Sequence, residues 1–310
     1  LSSIRWERPK SSRPGFLEGG LFNTTYLVTL KEARRRLVLR AGPVNTHLLL
    51  PFERRLMHTE QDVCRLFEQH GIPASHVLAC DTSRRVLDRD YMIVDYIQSV
   101  PLSDPSIPEE KKEALYLEAA RYKARMHRID GQSFGRAADV TGGRGNSSWL
   151  AFLMKEIQEL EQASLAHGVM THDETDLLRA VFTQRSALFE GVRSPKLVHA
   201  DLWDGNILVR KEGEEYRIAA MIDADRALFG DPDFDLSCPW MTNPAFFEGL
   251  GVGRLPTDGP RGEKMNANYM LIAAVDAYVW AVEYNKLDNY NYSKQKVFEI
   301  GRRLLGIAAC

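Results

Sequence analysis

Three oxygen-bearing side chains stand close together between Lys196 and Asp235. Asp201 lies in the run His199-Ala200-Asp201, Asn206 follows five residues later, and Asp223 ends an apolar run from Ile218 to Ile222. Two carboxylates and an amide grouped around a strand hairpin are what phosphoryl transfer to a hydroxyl needs. The Asp201 carboxylate would orient the attacking hydroxyl and accept its proton. The amide oxygen of Asn206 and the carboxylate of Asp223 would hold magnesium against nucleotide phosphates. Hard oxygen donors of this kind suit magnesium rather than zinc.

The flanking residues say how these groups are positioned. Leu197-Val198 is a short apolar run ending at His199, which puts Asp201 on a loop just past a strand. Ile207-Leu208-Val209 is a second run, with Asn206 at its mouth. The polar stretch Lys211 to Glu215 contains Gly213 and closes a hairpin. The return strand then carries Asp223 back beside Asn206.

The stretch HADLWDGNILV followed by IDADRALFGDPDFDL resembles the catalytic and magnesium motifs of the aminoglycoside phosphotransferase family, with a hint of the related fructosamine kinases in Leu202-Trp203. It departs at Ala200, where the family more often has glycine. The resemblance implies an α+β, bilobal, protein-kinase-like fold, with a small N-terminal antiparallel-sheet lobe and a larger, mainly helical C-terminal lobe. It places a nucleotide-binding lobe and hinge in residues 1–97 and a catalytic and substrate-binding lobe in 98–310. Within the second motif it implies bracing roles for Gly230-Asp231-Pro232 and Asp235, and Asp235 is placed to cap the helix that follows. Asp225 is either a second magnesium contact or structural, and His199 braces the loop.

Upstream, Gly19-Gly20 sits between two strand-like runs, and Asn23 and Thr24 follow. Alone, a Gly pair marks a hairpin. Under the resemblance Gly20, Asn23 and Thr24 belong to a nucleotide loop, although neither GxGxxG nor a Walker A motif is present. Arg36 to Arg40 reads as the next strand. Arg40 is by itself a strand-end cation, and the resemblance puts it where protein kinases carry a phosphate-binding lysine. Arg54 to Gln69 has helical periodicity, with Leu56, Val63, Cys64 and Phe67 on one face and Glu60 among them. A carboxylate on an apolar face requires a cation, and Arg40 is the expected partner. Strands are expected around Val77–Ala79 and Val86–Leu87. Tyr91 to Ile97 reads as a buried strand, and residues Asp95 to Ile97 are the hinge whose backbone would receive a nucleobase, on the resemblance alone.

The helical half begins at Pro108. Leu115, Ala119, Tyr122, Met126 and Ile129 form a core stripe ending near His127, a structural hydrogen-bonder. Gly131 to Asn146 reads as an irregular loop. Trp149–Ala166 and Glu174–Phe189 read as amphipathic helices. Their acidic residues, Glu156, Glu159, Glu161, Asp173, Glu174 and Asp176, either face a cationic substrate or are solvated.

Composition bounds the remainder. The 310 residues are 44% hydrophobic and 26% charged, enough for a sizeable core in one large domain or two lobes. A net charge of −2 gives no bulk attraction to nucleic acid or an anionic membrane. Cys64, Cys80, Cys238 and Cys310 are scattered, as in a reducing cytoplasm. The apolar stretch Leu271 to Val282 is too short to span a bilayer and contains Asp276. The expected activity is therefore transfer of the γ-phosphate of ATP or GTP, with Mg2+, to a small-molecule hydroxyl. The resemblance favours an aminoglycoside or amino-sugar-like acceptor. Other small alcohols and a catalytically silent kinase-like protein are the alternatives, in a monomer or homodimer. Against a polycationic acceptor, residues 241–310 carry eight basic and seven acidic side chains, no acidic excess.

Overall fold

The computed structural model describes residues 22–30, 35–253 and 255–308, and the backbone of 4–6. The first part is a five-stranded antiparallel sheet. Its strands are β1 (Ile4–Trp6), β2 (Thr24–Leu30), β3 (Arg35–Ala41), β4 (Val77–Asp81) and β5 (Tyr91–Asp95), in the spatial order β1-β2-β3-β5-β4. Helix α1 (Leu56–Gln69) follows a single 3-10 turn at Pro51–Arg55. It buries Leu56, Val63, Cys64 and Phe67 together with Glu60, the face its periodicity predicts. It stops at Gly71, whose φ of +61° lies in the left-handed region that glycine enters without a Cβ clash. Val86 and Leu87 are not a strand. They are 74% and 36% exposed in a run of bends, and among the described residues no strand pairs with them.

The short strand β6 (Val100–Pro101) leads into α2 (Glu109–Met126), which buries Leu115, Ala119 and Met126, while Tyr122 is half-buried. The segment 131–146, expected to be irregular, contains β7 (Gly135–Arg136) and the one-turn helix α3 (Ala137–Thr141). Gly135 is itself the first residue of β7, and the other glycines lie outside these elements and do not break them. Helix α4 (Trp149–Ala166) is capped by Ser148. The next predicted helix is two pieces, α5 (His172–Gln184), opened by a Thr171–Glu174 capping box, and α6 (Ala187–Glu190).

Two small antiparallel sheets carry the conspicuous motif. One orders β10-β9-β6, with β9 (Ile207–Glu212) and β10 (Glu215–Met221) forming the expected hairpin. The other orders β7-β11-β8, with β8 (Lys196–Val198) and β11 (Leu228–Gly230). Helices α7 (Pro232–Leu236), α8 (Pro244–Gly249), α9 (Gly259–Tyr278) and α10 (Leu287–Leu305) complete the chain. Between α9 and α10 lies a π-helical turn, Val279–Glu283. The fold is α+β and bilobal, sheet-rich first and mainly helical afterwards.

Two buried clusters position the motif from either side. Leu197, Ile207, Val209, Ile218 and Met221 pack with Val63 and Phe67 of α1 and with Leu115, Ala119 and Met126 of α2. Trp149, Phe152, Phe182 and Phe189 pack with Leu271 and Ala274 of α9 and Val297 and Ile300 of α10. Each such side chain contributes about 1.5–3 kcal/mol by leaving water, which makes the hairpin and its flanking helices one packed unit. Among the described residues no helix is long and apolar enough to cross a membrane.

Candidate active site

Asp201 follows β8 on a loop that the buried carboxylate of Asp235 holds in shape. Asp235 accepts the backbone N–H groups of His199 (3.2 Å) and Ala200 (3.0 Å), and pairs with Lys123 Nζ at 3.0 Å and His127 Nε2 at 3.0 Å. Burial alone would raise its pKa, yet Lys123 and His127 hold the carboxyl far below the usual range. Asp235 therefore does not cap α7. It lies inside that helix, and Asp231 is the N-cap, accepting from Asp233 N–H at 3.0 Å. Lys123 is 2% exposed. Sequence gave no sign of it, because a lysine in a helical stripe normally reads as solvated.

His199 joins this loop to the segment just past β10. Its Nδ1 accepts the Asp201 N–H at 3.3 Å, and its Nε2–H donates to Ile222 O at 3.2 Å, one residue before Asp223. Burial lowers the imidazole pKa to about 4, against the opposing field of Asp235, so the ring is neutral and serves as a brace, as expected. Ala200 has φ +65°. In this region a Cβ costs about 1–2 kcal/mol, which accounts for a preference for glycine here.

Asn206 sits in a 3-10 turn at the start of β9. Its Nδ2 donates to Asp201 O at 2.8 Å, and its backbone carbonyl accepts Ile222 N–H at 3.0 Å. With the amide nitrogen so used, the amide oxygen remains for a ligand. Gly205 before it is dictated by Trp203, whose ring would lie 2.4 Å from an added Cβ. Asp223 adopts φ +57°, a conformation aspartate tolerates better than bulkier residues, and its carboxylate is 36% exposed.

Arg40 reaches across from β3. It pairs with Glu60 of α1 and sets Nη2 2.6 Å from Asp223 Oδ1. Burial works against its charge, but Glu60 and Asp223 more than compensate and raise its pKa, so the guanidinium is fixed as a cation. The expected pair is thus part of a triad.

These groups share one cleft of about 980 Å³, lined by Asn23, Arg40, Glu60, Asp95, Ile97, Asp201, Asn206 and Asp223. Thr24 is not in its wall. Alternate strand residues face opposite sides, and Asn23 and Thr25 take the cleft side. Gly20 lies outside the described residues. Asn23 is 9% exposed, and among the described residues its Oδ1 has no hydrogen-bond partner, as for a polar group that a ligand completes. Within residues 95–97, the expected hinge, the Tyr96 N–H is taken by Arg36 O at 3.3 Å and the Asp95 N–H by His76 O at 3.1 Å.

Inside the cleft, burial raises the Asp201 carboxyl to a pKa of about 7. Arg226 opposes this, and Asp223 and Asp276 add to it. A carboxyl poised there is suited to exchange a proton with a hydroxyl. Asp225 lines the same wall, and burial raises it well above the usual range. Arg136, Arg226 and Asp276 also line the cleft and were not picked out from sequence. Arg136 pairs with Glu156, and Arg226 Nη2 lies 3.2 Å from Glu53 Oε1. Among the described residues no three His, Cys, Asp or Glu side chains gather into a metal cage. Magnesium bound chiefly by phosphates and water needs only one or two protein oxygens, and Asn206 with Asp223 fit that requirement.

The profile of the phosphotransferase enzyme family matches residues 15–265. No curated protein sequence matches the chain. Among solved structures, a thermostable mutant of aminoglycoside phosphotransferase APH(4)-Ia, in a ternary complex with ADP and hygromycin B, is similar over 93% of this chain and 92% of its own, with a TM-score of 0.64 at 18% identity. The streptomycin–ATP complex of APH(2'')-IIa is similar over 92% of both chains, with a TM-score of 0.61 at 15% identity. An ethanolamine kinase from Plasmodium vivax is similar over 97% of this chain and 82% of its own, with a TM-score of 0.64 at 15% identity. At such identities the structural likeness speaks for the fold. Most of the chain lies within the matched profile, and it belongs to the phosphotransferase enzyme family, a small-molecule kinase by class.

Proposed function

We propose that the chain transfers the terminal phosphate of ATP, or of GTP, to a hydroxyl of a small molecule in a magnesium-dependent reaction. Asp201 is the base. Asn206 and Asp223 are the metal-holding oxygens, and Arg40, kept in place by Glu60, meets the phosphates. The observation that carries this reading is the linkage of Asp201, Asn206 and Asp223. They line one cleft, and hydrogen bonds through His199 and Ile222 tie their backbones together.

Each residue has a separate task. Asn23 would offer its amide to the nucleotide, and, with the Asp95 and Tyr96 N–H groups taken by His76 O and Arg36 O, the Ile97 N–H would be the backbone donor of residues 95–97 left to meet the base, where a lobe of residues 1–97 meets one of 98–310. Bound magnesium would neutralise charge on the transferring phosphate, the main demand of this chemistry. The Asp201 carboxylate would align the acceptor hydroxyl and take its proton. Reduced Cys64, Cys80 and Cys238 support a cytoplasmic setting. Sugar-type and simple amino-alcohol acceptors both suit a cleft of this size. Aminoglycosides and ethanolamine are the respective examples from proteins of similar fold.

The test is an acceptor screen read by nucleotide consumption, run beside Asp201→Ala. The variant should lose turnover and keep nucleotide affinity. Full phosphotransfer by Asp201→Ala would refute the assignment.

A further inference from the structure

Helix α1 carries Glu60 and falls by sequence among the sheet strands, yet both of its ends are fastened to the helical part of the chain. Before it, the Tyr278 hydroxyl of α9 donates to Leu48 O at 2.8 Å, and Leu50 is buried with Trp149 and Ala274. After it, Arg125 Nη1 of α2 donates to Gly71 O at 2.6 Å, and the Met221 N–H at the end of β10 donates to Pro73 O at 2.9 Å. Toward the sheet, α1 presents Met57 to Met92 and Val94, sets His58 Nε2 2.7 Å from Thr82 Oγ1, and pairs Glu60 with Arg40.

Glu53, in the 3-10 turn that leads into α1, is the buried centre of the first attachment. Its side chain has no solvent exposure. One carboxylate oxygen accepts the Leu50 N–H at 3.0 Å, and the other lies 3.2 Å from Arg226 Nη2. Glu283 of the π-helical turn hydrogen-bonds the same side chain. Burial and the charge of Glu53 raise the Glu283 carboxyl to a pKa of about 9, so it is protonated and donates. Glu53 therefore joins three walls of the cleft: the approach to α1, the turn just past Asp223, and the π-helical turn after α9. Moving the start of α1 would break a satisfied ion pair and strand a carboxylate in the interior.

We infer that Glu53 is a positioning residue for the nucleotide: by docking α1 on the helical lobe it holds Glu60, and through Glu60 it holds Arg40, in place before any nucleotide arrives. With α1 undocked, Arg40 would keep Asp223 and lose Glu60, and nucleotide affinity would fall in proportion to the fraction of molecules still docked. The task of Arg40 rests on the phosphotransfer reading, whereas the docking of α1 does not.

The test is Glu53→Gln, which keeps the shape of the side chain and removes its charge. The readouts are calorimetric titration with the magnesium complex of AMP-PNP and hydrogen exchange of Leu56–Gln69 with and without that nucleotide. Affinity should fall about tenfold, or about 1.4 kcal/mol. Without nucleotide, exchange of α1 should rise at least about tenfold while the β9–β10 hairpin stays protected, and saturating nucleotide should reverse the rise. Glu283→Gln, which keeps a neutral donor to Glu53, should bind within about twofold of the wild type. Tyr278→Phe, which loses only the contact to Leu48 O, should move affinity and exchange the same way by about two- to threefold, and it decides the matter if Glu53→Gln does not fold. Unchanged affinity, exchange that rises uniformly along the chain, a rise that nucleotide leaves in place, or an equal loss in Glu283→Gln would overturn the inference. A wild type that does not bind the nucleotide would count against the phosphotransfer reading instead. Exchange without nucleotide then decides the docking, and equal protection of α1 in wild type and variant would overturn it.

Discussion

Arg40 Nη2 lies 2.6 Å from Asp223 Oδ1, so the phosphate-side cation rests on an oxygen proposed to hold the metal. The same guanidinium pairs with Glu60, which is 4% exposed. Without nucleotide, Arg40 thus neutralises two carboxylates that would otherwise repel one another. Binding of a metal–nucleotide complex must exchange the Asp223 contact for contacts to metal and phosphate.

Arg40→Lys should separate these roles. A lysine is a point charge that cannot span both carboxylates, and Mg-ATP affinity should fall about tenfold, or about 1.4 kcal/mol. Arg40→Ala leaves Glu60 buried without its cation and should cost about 3–5 kcal/mol of stability. Calorimetry checks the first and urea unfolding the second. Wild-type nucleotide affinity in Arg40→Ala would show that the triad is structural only.

Asp201→Asn keeps the size of the side chain and removes its basicity. Turnover should fall by about 10²–10⁴, the range for loss of a general base, with nucleotide affinity unchanged. A parallel fall in nucleotide affinity would mean that the residue positions phosphates.

Lys123→Met tests the brace beneath the loop. It leaves Asp235 in the core without its nearest full cation, while the His199 and Ala200 N–H groups still point at it. The expected loss is about 3–5 kcal/mol, read from the midpoint of denaturant unfolding. A loss under about 1 kcal/mol would place this pair with exposed surface pairs in energetic weight.

A pH-dependent contribution follows from His199. Its folded pKa of about 4 lies below the ordinary 6.5. Between these values the unfolded chain binds a proton that the folded chain refuses, so this group's share of stability falls as pH drops from 6.5 toward 4, by about 3 kcal/mol at most. Asp201 and Asp276 act oppositely. Their folded pKa values are raised from 3.8 to about 7 and about 6, so their shares are present at low pH and fall as pH rises through that span. The histidine must be isolated by difference. Between pH 4 and 6.5, the stability of the nucleotide-free wild type should rise with pH by nearly one proton's slope more than that of His199→Asn. Equal slopes would contradict a neutral, buried ring.

The legible parts of the sequence were those with strong local patterns. The hairpin from Ile207 to Met221, the α1 face carrying Glu60 and the loop placement of Asp201 follow from apolar periodicity and from a Gly-centred turn at Gly213. The misreadings were of two kinds. Val86–Leu87 and the 131–146 segment were judged from short runs, where two apolar residues or scattered glycines decide little. Asp235, Lys123 and Asp276 depend on contacts across long sequence separations: a salt bridge between α2 and α7, and a helix face turned into a cleft. A carboxylate's role there is set by which cation the fold delivers, and no spacing along the chain encodes that.

The most direct test of the central claim is calorimetric titration of ATP into the wild type, Asn206→Ala and Asp223→Ala, each with and without Mg2+. The account predicts wild-type binding that strengthens markedly with magnesium, and a magnesium effect that is lost in both variants while the weaker metal-free binding persists. Binding that ignores magnesium in the wild type, or an undiminished magnesium effect in Asp223→Ala, would contradict it.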